Sequence, residues 1–234
     1  MLKPVTLEPA LTVRVREAIL EAIVDGTLRP GERLAQIQIA ESLGVSRQPV
    51  SHALSVLKEQ GIVVEFGRKG LTVAPMEAGH VRHLYQVRSA LDALAARLAA
   101  QRVARSEVCR RELDNLASSV YDKQMPGASA GHQIDADIAF HRAIYALSNN
   151  PVLEELARPH WVQYRRCMLT VIEDDSIRAG VWSEHRQIFN AIAKGDADQA
   201  AAHAQQHTEH AGESTAARLN QRTNTTRPVE EIDS

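Results

Sequence analysis

Only two cysteines, Cys109 and Cys167, occur in 234 residues, and they stand far apart with no CxxC pair. That scarcity argues against a disulfide framework and a cysteine zinc site, so both thiols are expected as reduced core residues. An excess of one charge is missing too. With a formal net charge of −2, bulk electrostatics makes no case for a nucleic-acid partner, and any such case has to be local. No stretch reaches the ~18 uninterrupted apolar residues of a membrane span. The opening MLKPVTLEPALTV lacks the basic flank and long apolar run of a signal peptide. These absences predict a cytoplasmic chain with no membrane partner. What is present, 44% hydrophobic and 24% charged residues, suffices for one or two domains with a real core.

The first 75 residues alternate helical and strand signals. Val15, Ala18, Ile19, Ala22 and Ile23 share one face of a helix expected over Thr12 to Asp25, with Gly26 as its stop. TLRPGERL is a turn, and Ile37 to Leu43 a short helix ended by Gly44. Ser46 is the expected N-cap of a helix to Gln60, with Gly61 as its C-terminal glycine. IVVEF and LTVAP are β-branched runs around GRKG, which reads as a hairpin with a glycine-rich tip. Three helices and a hairpin make a winged helix-turn-helix plan.

Beyond Pro75 strand signals vanish. Six helices are expected: Glu77 to Val103, Ser106 to Gln124, His132 to Ser148, Pro151 to Glu173, Val181 to Lys194 and Asp196 to Leu219. MPGASAG reads as a flexible connection and Pro159 as a kink in the fourth helix. The fold class is therefore mainly α: a winged helix-turn-helix domain over 1–75, an all-α helical bundle over 76–219, and a polar, disordered tail over 220–234.

A helix-turn-helix presents the start of its second helix to the major groove. Here that start is SRQPVSH. Arg47 can contact guanine or a phosphate, Gln48 can bond adenine, and Ser46 and Ser51 can bind backbone oxygens. At the wing tip Arg68 and Lys69 sit between Gly67 and Gly70, where the missing side chains allow close approach to a duplex. The other reading, solvated charges on a small protein–protein module, stays open on pattern alone, because the charge of 1–75 is nearly balanced.

GTLRPGERL, IAESLGVSRQPVSHALSVLKEQGIV and the glycine-tipped wing resemble the GntR family of bacterial transcription regulators across nearly all of residues 11–75. The resemblance implies DNA binding, with Arg33, Arg47 and the wing residues Arg68, Lys69 and Gly70 as contacts. One position departs. The family usually carries a DNA-contacting arginine where this chain has Ser51, so affinity or sequence preference is expected to differ.

DIAFH, from Asp137 to His141, raises a question of cost. At about 100° per residue, Ile134, Ile138, Phe140, Ile144, Tyr145 and Leu147 define a broad apolar arc with Asp137 and His141 near its middle. Burying a carboxylate costs several kcal/mol, roughly, unless something compensates it, and a metal would. His185 lies among Val181, Ile188, Phe189 and Ile192. His207 flanks Ala200, Ala204 and Ala211. One Asp and three His from three helices suit Zn²⁺, Ni²⁺ or a similar divalent ion with coordination positions left open. Each is equally readable as a hydrogen-bonded core residue, and His203 and His210 are alternative imidazoles.

LYQVRSALDALAARLAA, DIAFHRAIYALSNNPVL and EHRQIFNAIAKGDADQAAAHAQQH resemble the FCD effector-binding domain of the FadR subfamily of GntR regulators, over residues 78–215. Many such domains bind a metal through residues that map onto Asp137, His141, His185 and His207. The expected six helices resemble the VanR-like branch rather than the seven-helix FadR type. The resemblance also implies a homodimer on a near-palindromic DNA operator and a small organic acid effector, with repression in the ligand's absence. A cation near the pocket would balance the acid. Arg88, at the edge of an apolar face, is the first candidate, with Tyr145 and Arg165 behind it. Two other classes compete: a metal-dependent hydrolase, for which Glu184 is the nearest candidate base but points about 100° away from His185, and a structural metal module with a filled coordination sphere and no effector.

Overall fold

Pro9 opens the first helix, a position that suits it because the missing N–H has no partner in a first turn. The computed structural model describes residues 9–67, 70–121, 130–172 and 175–226. They divide into two compact units, Met1–Met76 and Glu77–Ser234.

In the first unit α1 (Pro9–Val24) buries Val15, Ile19 and Ile23, and α3 (Arg47–Glu59) buries Val50, Ala53, Leu54 and Leu57. The two helices pack on each other, and α2 (Gln36–Leu43) joins α3 through a left-handed Gly44 at φ 63. β1 (Val63–Glu65) and β2 (Leu71–Val73) pair antiparallel with Val63 opposite Val73. Arg33 bridges Thr72 on the other edge of β2. This is the expected winged helix-turn-helix arrangement, with α1 starting three residues earlier than expected. The wing turn closes where the Phe66 N–H donates to the Gly70 carbonyl at 3.0 Å, with Gly70 at φ +78. Arg68 and Lys69 lie outside the described residues.

In the second unit α4 (Ala78–Arg105) and α10 (Ala197–Thr226) are the longest helices and pack side by side. Alanines make the approach close: Ala95, Ala96, Ala99 and Ala100 on α4, and Ala200, Ala201, Ala204 and Ala216 on α10, are buried. Gly212 marks the tightest point. A Cβ added there would stand 2.7 Å from the Tyr85 Cβ. Around this pair lie α5 (Glu107–Tyr121), α6 (Ala130–Ser148), α7 (Pro151–Ala157), α8 (Trp161–Leu169) and α9 (Asp175–Lys194). Cys109 and Cys167 are free and buried. No described helix is long and apolar enough to cross a membrane.

Three expectations need correction. The single helix from Pro151 to Glu173 is two, α7 and α8, separated by a 3-10 turn at Arg158–His160. Pro159 in that turn lacks the N–H that a continuing α-helix requires. The described residues of this unit thus carry seven α-helices, and the helix count no longer favours the six-helix branch. The last helix runs to Thr226 instead of stopping at Leu219. The expected tail is helical for its first residues, and 227–234 lie outside the described residues, as does most of the MPGASAG connection.

Candidate metal centre and nucleic-acid interface

The polar residues of α6 that should be costly to bury meet their counterparts from two other helices. Asp137 and His141 lie one turn apart on α6, His185 comes from α9 and His207 from α10, and one ligand atom from each falls within 4.8 Å of all the others. Nε2 of His207 is 3.1 Å from Nε2 of His185 and 3.3 Å from Nε2 of His141. Asp137 Oδ1 is 3.4 Å from His185 Nε2, and Asp137 Oδ2 is 3.8 Å from His141 Nε2. The three imidazoles are buried and the carboxylate is partly exposed.

The far sides of the rings decide where their protons are. His141 Nδ1 faces Asp92 Oδ2 at 3.2 Å, and His207 Nδ1 faces Glu184 Oε2 at 2.8 Å. A carboxylate only accepts, so each ring donates its Nδ1 proton there, and in the neutral tautomer that this selects Nε2 presents a lone pair to the common centre. With all three rings neutral, a proton on His185 Nε2 can satisfy its 3.1 Å pair with His207, and His141 Nε2 then faces the same His207 nitrogen lone pair to lone pair at 3.3 Å. A cation removes that repulsion. Asp137 Oδ2 and His185 Nδ1 are buried without a hydrogen-bond partner among the described residues. Ligand atoms about 2.1 Å from a metal at tetrahedral angles stand about 3.4 Å apart, which matches the observed spacings. The donor set fits a divalent ion.

Electrostatics favours the ligating protonation state. Burial pushes the His185 imidazole well below its ordinary value, and the neighbouring His207, His141 and Arg88 push the same way. Burial and then Arg88 lower His141, against the opposing pull of Asp92. Both are held neutral, the form that binds a metal. Burial raises the Asp92 carboxyl, but His141 and Arg88, with hydrogen bonds from His141 and Tyr145, outweigh it and hold the group far below the usual carboxylate range.

Beside the centre opens a cavity of about 60 Å³ whose lining includes Arg88, Asp137 and His207. Arg88 is buried, with Nε 3.3 Å from Asp92 Oδ2 and Nη2 3.9 Å from Asp137 Oδ2. Its guanidinium lies 4.7 Å from the ring centre of Tyr164. Neither Nε nor Nη2 has a well-aligned hydrogen-bond acceptor. Tyr145 and Arg165 do not reach this cavity. The Tyr145 hydroxyl donates to Asp92 Oδ1 at 2.6 Å behind the histidines, and Arg165 pairs with Asp135 at 2.6 Å on the surface. Periodicity placed both on a helix face without saying which of its neighbours they meet.

In the first unit Ser46 occupies the N-cap position of α3 with an extended backbone, its side chain making no cap bond. Ser46, Arg47, Gln48 and Ser51 are all exposed at the start of α3, and Arg33 and Gly70 are exposed beside β2. These are free polar groups at the end of a helix that a major groove can admit.

The model of the bacterial regulatory proteins of the gntR family matches residues 11–73, and that of the FCD domain matches residues 83–210. The chain belongs to the GntR family of bacterial regulators and carries an FCD domain. It is 26% identical over 190 residues to YdhC, an HTH-type transcriptional regulator of Bacillus subtilis (strain 168), covering 80% of this chain and 83% of the relative. It is 29% identical over 214 residues to the Uxu operon transcriptional regulator of Escherichia coli (strain K12), covering 82% and 81%. A GntR transcriptional regulator from Rhodococcus sp. RHA1 has a crystal structure that superposes with a TM-score of 0.62 at 28% identity, covering 90% of this chain and 97% of that one. These relatives are regulators of transcription, not enzymes.

In this GntR regulator Glu184 is no hydrolytic base. Its carboxylate is shared between His207 Nδ1 and His210 Nδ1, each at 2.8 Å, on the outer side of the ring, and those bonds outweigh its partial burial to lower its pKa. Sequence reasoning missed Asp92 altogether. Asp92 accepts from Tyr145 and from Thr208 Oγ1 at 2.8 Å while holding His141, so it ties α4, α6 and α10 together at the back of the centre. The signal available was a carboxylate four residues after Arg88 on an otherwise alanine-rich buried face.

Proposed function

We propose that this protein is a metabolite-responsive repressor. Its FCD domain holds one Zn²⁺ or Ni²⁺ ion through Asp137, His141, His185 and His207, and a small organic acid binding beside the ion releases a near-palindromic operator. The observation that carries the reading is the convergence of Asp137 and three buried imidazoles, with His207 Nε2 3.1 Å and 3.3 Å from the Nε2 atoms of His185 and His141. When bound, the ion supplies positive charge and open coordination positions for a carboxylate. The chain's own residues do the rest. Asp92 and Glu184 fix the imidazole orientations, and Arg88 brings a buried guanidinium to the cavity lining.

The DNA contacts of this reading are Arg33, Ser46, Arg47, Gln48, Ser51, Arg68, Lys69 and Gly70, and an operator partner implies a cytoplasmic protein. GntR regulators typically act as dimers, and α4 offers a surface for a second copy. Leu84, Val87, Leu91, Leu94 and Leu98 recur at alternating spacings of three and four, the pattern of a helix-pairing seam. Val87 and Leu94 are 57% and 43% exposed in the single chain. Paired recognition helices then match paired half-sites.

The test combines metal analysis with operator titration. Purified protein is expected to hold about one divalent ion per chain, and chelation is expected to lower its melting temperature, since an ion bound by the folded state alone is linked to folding. Protein that neither holds nor takes up Zn²⁺ or Ni²⁺, or whose operator affinity is indifferent to every small acid tried, would remove the proposal.

A further inference from the structure

We infer that the cavity beside the metal centre selects a short monocarboxylate whose body is hydrocarbon, in preference to acids with distal hydroxyls or a second carboxylate. This deepens the reading above and rests on it. The cavity lining holds Arg88 and the candidate ligands Asp137 and His207, with Gln133, Ser214 and Thr215 as further polar side chains. Much of the remaining wall is hydrocarbon: Ile134 from α6, Met168 from α8, Val171 and Ile172 after it, and Val181 and Trp182 from α9. On the α10 wall the Thr215 hydroxyl already donates to the Ala211 carbonyl at 2.8 Å. A distal hydroxyl entering this space gives up water for a mainly apolar surround, and burying it without a partner is unfavourable.

Charge points to a single carboxylate. Deep in the site a divalent ion and Arg88 face Asp92 and Asp137, which leaves one positive charge for a ligand to neutralise. Glu184 stands outside this count, because it is partly exposed on the outer side of His207 and does not line the cavity. A second carboxylate on the ligand would be desolvated beside Ile134, Val171, Ile172 and Val181, with Arg88 the one Lys or Arg among the described lining residues.

Size limits the body. A cavity of about 60 Å³ is less than half the volume of an apolar cavity of roughly 150 Å³ that binds benzene. An aliphatic acid of about three to five carbons fits better than an aromatic one.

The experiment uses the metal-loaded, full-length protein and two isosteric pairs of acids, in each of which a hydroxyl replaces a methyl. The pairs are isovalerate with 3-hydroxybutyrate and butyrate with 3-hydroxypropanoate; succinate supplies the second charge. Binding is followed by calorimetry and by the fluorescence of Trp182, which lines the cavity. Each hydroxy acid is expected to bind on the order of tenfold more weakly than its partner, and succinate more weakly still. Met168→Gln, which puts an amide into the wall, is expected to narrow the gap between isovalerate and 3-hydroxybutyrate. Equal or tighter binding of the hydroxy acids or succinate overturns the hydrocarbon selection while leaving the metal-and-acid reading intact. If none of the five acids binds the loaded protein, or if all bind equally well after chelation, the metal-anchored acid site fails and this inference falls with it. A gap left unchanged by Met168→Gln in a folded dimer also counts against the apolar wall as its cause.

Discussion

Asp92 Oδ2 stands 3.2 Å from Nδ1 of His141, a contact between α4 and α6 that turns the imidazole so its other nitrogen faces His207. The carboxylate also receives Tyr145 and Thr208. Asp92→Asn keeps the volume but not the charge, and the amide can no longer accept at every contact. Metal affinity is expected to fall about 10- to 100-fold, as for other groups that orient a ligand. Competition against a calibrated chelator measures it. Unchanged affinity in a folded variant would show that His141 needs no such support.

Arg47 stands exposed at the first position of α3. Arg47→Ala should weaken operator binding by about 1–3 kcal/mol and change the sequence preference, whereas Lys69→Ala should weaken it evenly and lower the salt slope. Titrations against the operator and a scrambled duplex at two salt concentrations separate the two behaviours. Indifference of both variants would discard this reading surface.

His207→Ala is expected to weaken effector binding and blunt the effector's influence on operator affinity while leaving the intrinsic DNA contacts of the first unit in place. Operator titration with and without effector makes the comparison, once both proteins are shown to be folded dimers. A full effector response in the variant would mean that the acid is anchored elsewhere.

Placing charge in the α4 seam tests the dimer. Val87→Glu with Leu94→Glu sets like charges on a surface that is exposed in one chain and paired in two. Light scattering should then report a monomer at concentrations where the wild type is dimeric, with weaker operator binding. A variant that stays dimeric assigns the interface to another face.

Gly212 is a packing test. A side chain there meets Tyr85 at 2.7 Å, so Gly212→Val should cost about 1–3 kcal/mol through overpacking. The favourable move from glycine to a side chain within a helix is too small to offset this. Urea unfolding gives the value. A stabilised variant would mean that α4 and α10 can separate freely at this level.

Most of this fold was legible because its signals are local. The glycine stops after α1 and α2, the β-branched runs of the wing and the apolar arc around DIAFH each depend on neighbours within a few positions. The ligands could be read for the same reason, since a polar pair one turn apart within an apolar arc is conspicuous. Asp92 could not be read that way. Its meaning comes from Tyr145, 53 positions on, and Thr208, 116 positions on. Arg165 and Tyr145 were placed on plausible faces, but periodicity gives an angle about one helix axis and not the identity of the neighbouring helix. The polar composition after Leu219 hid a helix whose start packs on α4 and whose end simply continues.

The ligands are unevenly spaced along the chain. His141 and His207 are separated by 66 positions, and their meeting requires α10, the last described helix, to lie against α4 and α6. During synthesis the winged unit and most of the effector domain emerge before the fourth ligand exists, and domains tend to fold from the N-terminus as they appear. Until then Asp137, His141 and His185 offer three of the four candidate ligands, and the loop that must close to bring His207 to His141 is long. On the proposed reading, uptake of an ion waits until α10 has been made. A chain truncated before α10 can form the DNA-reading module yet cannot complete the metal centre through which we propose it senses its effector.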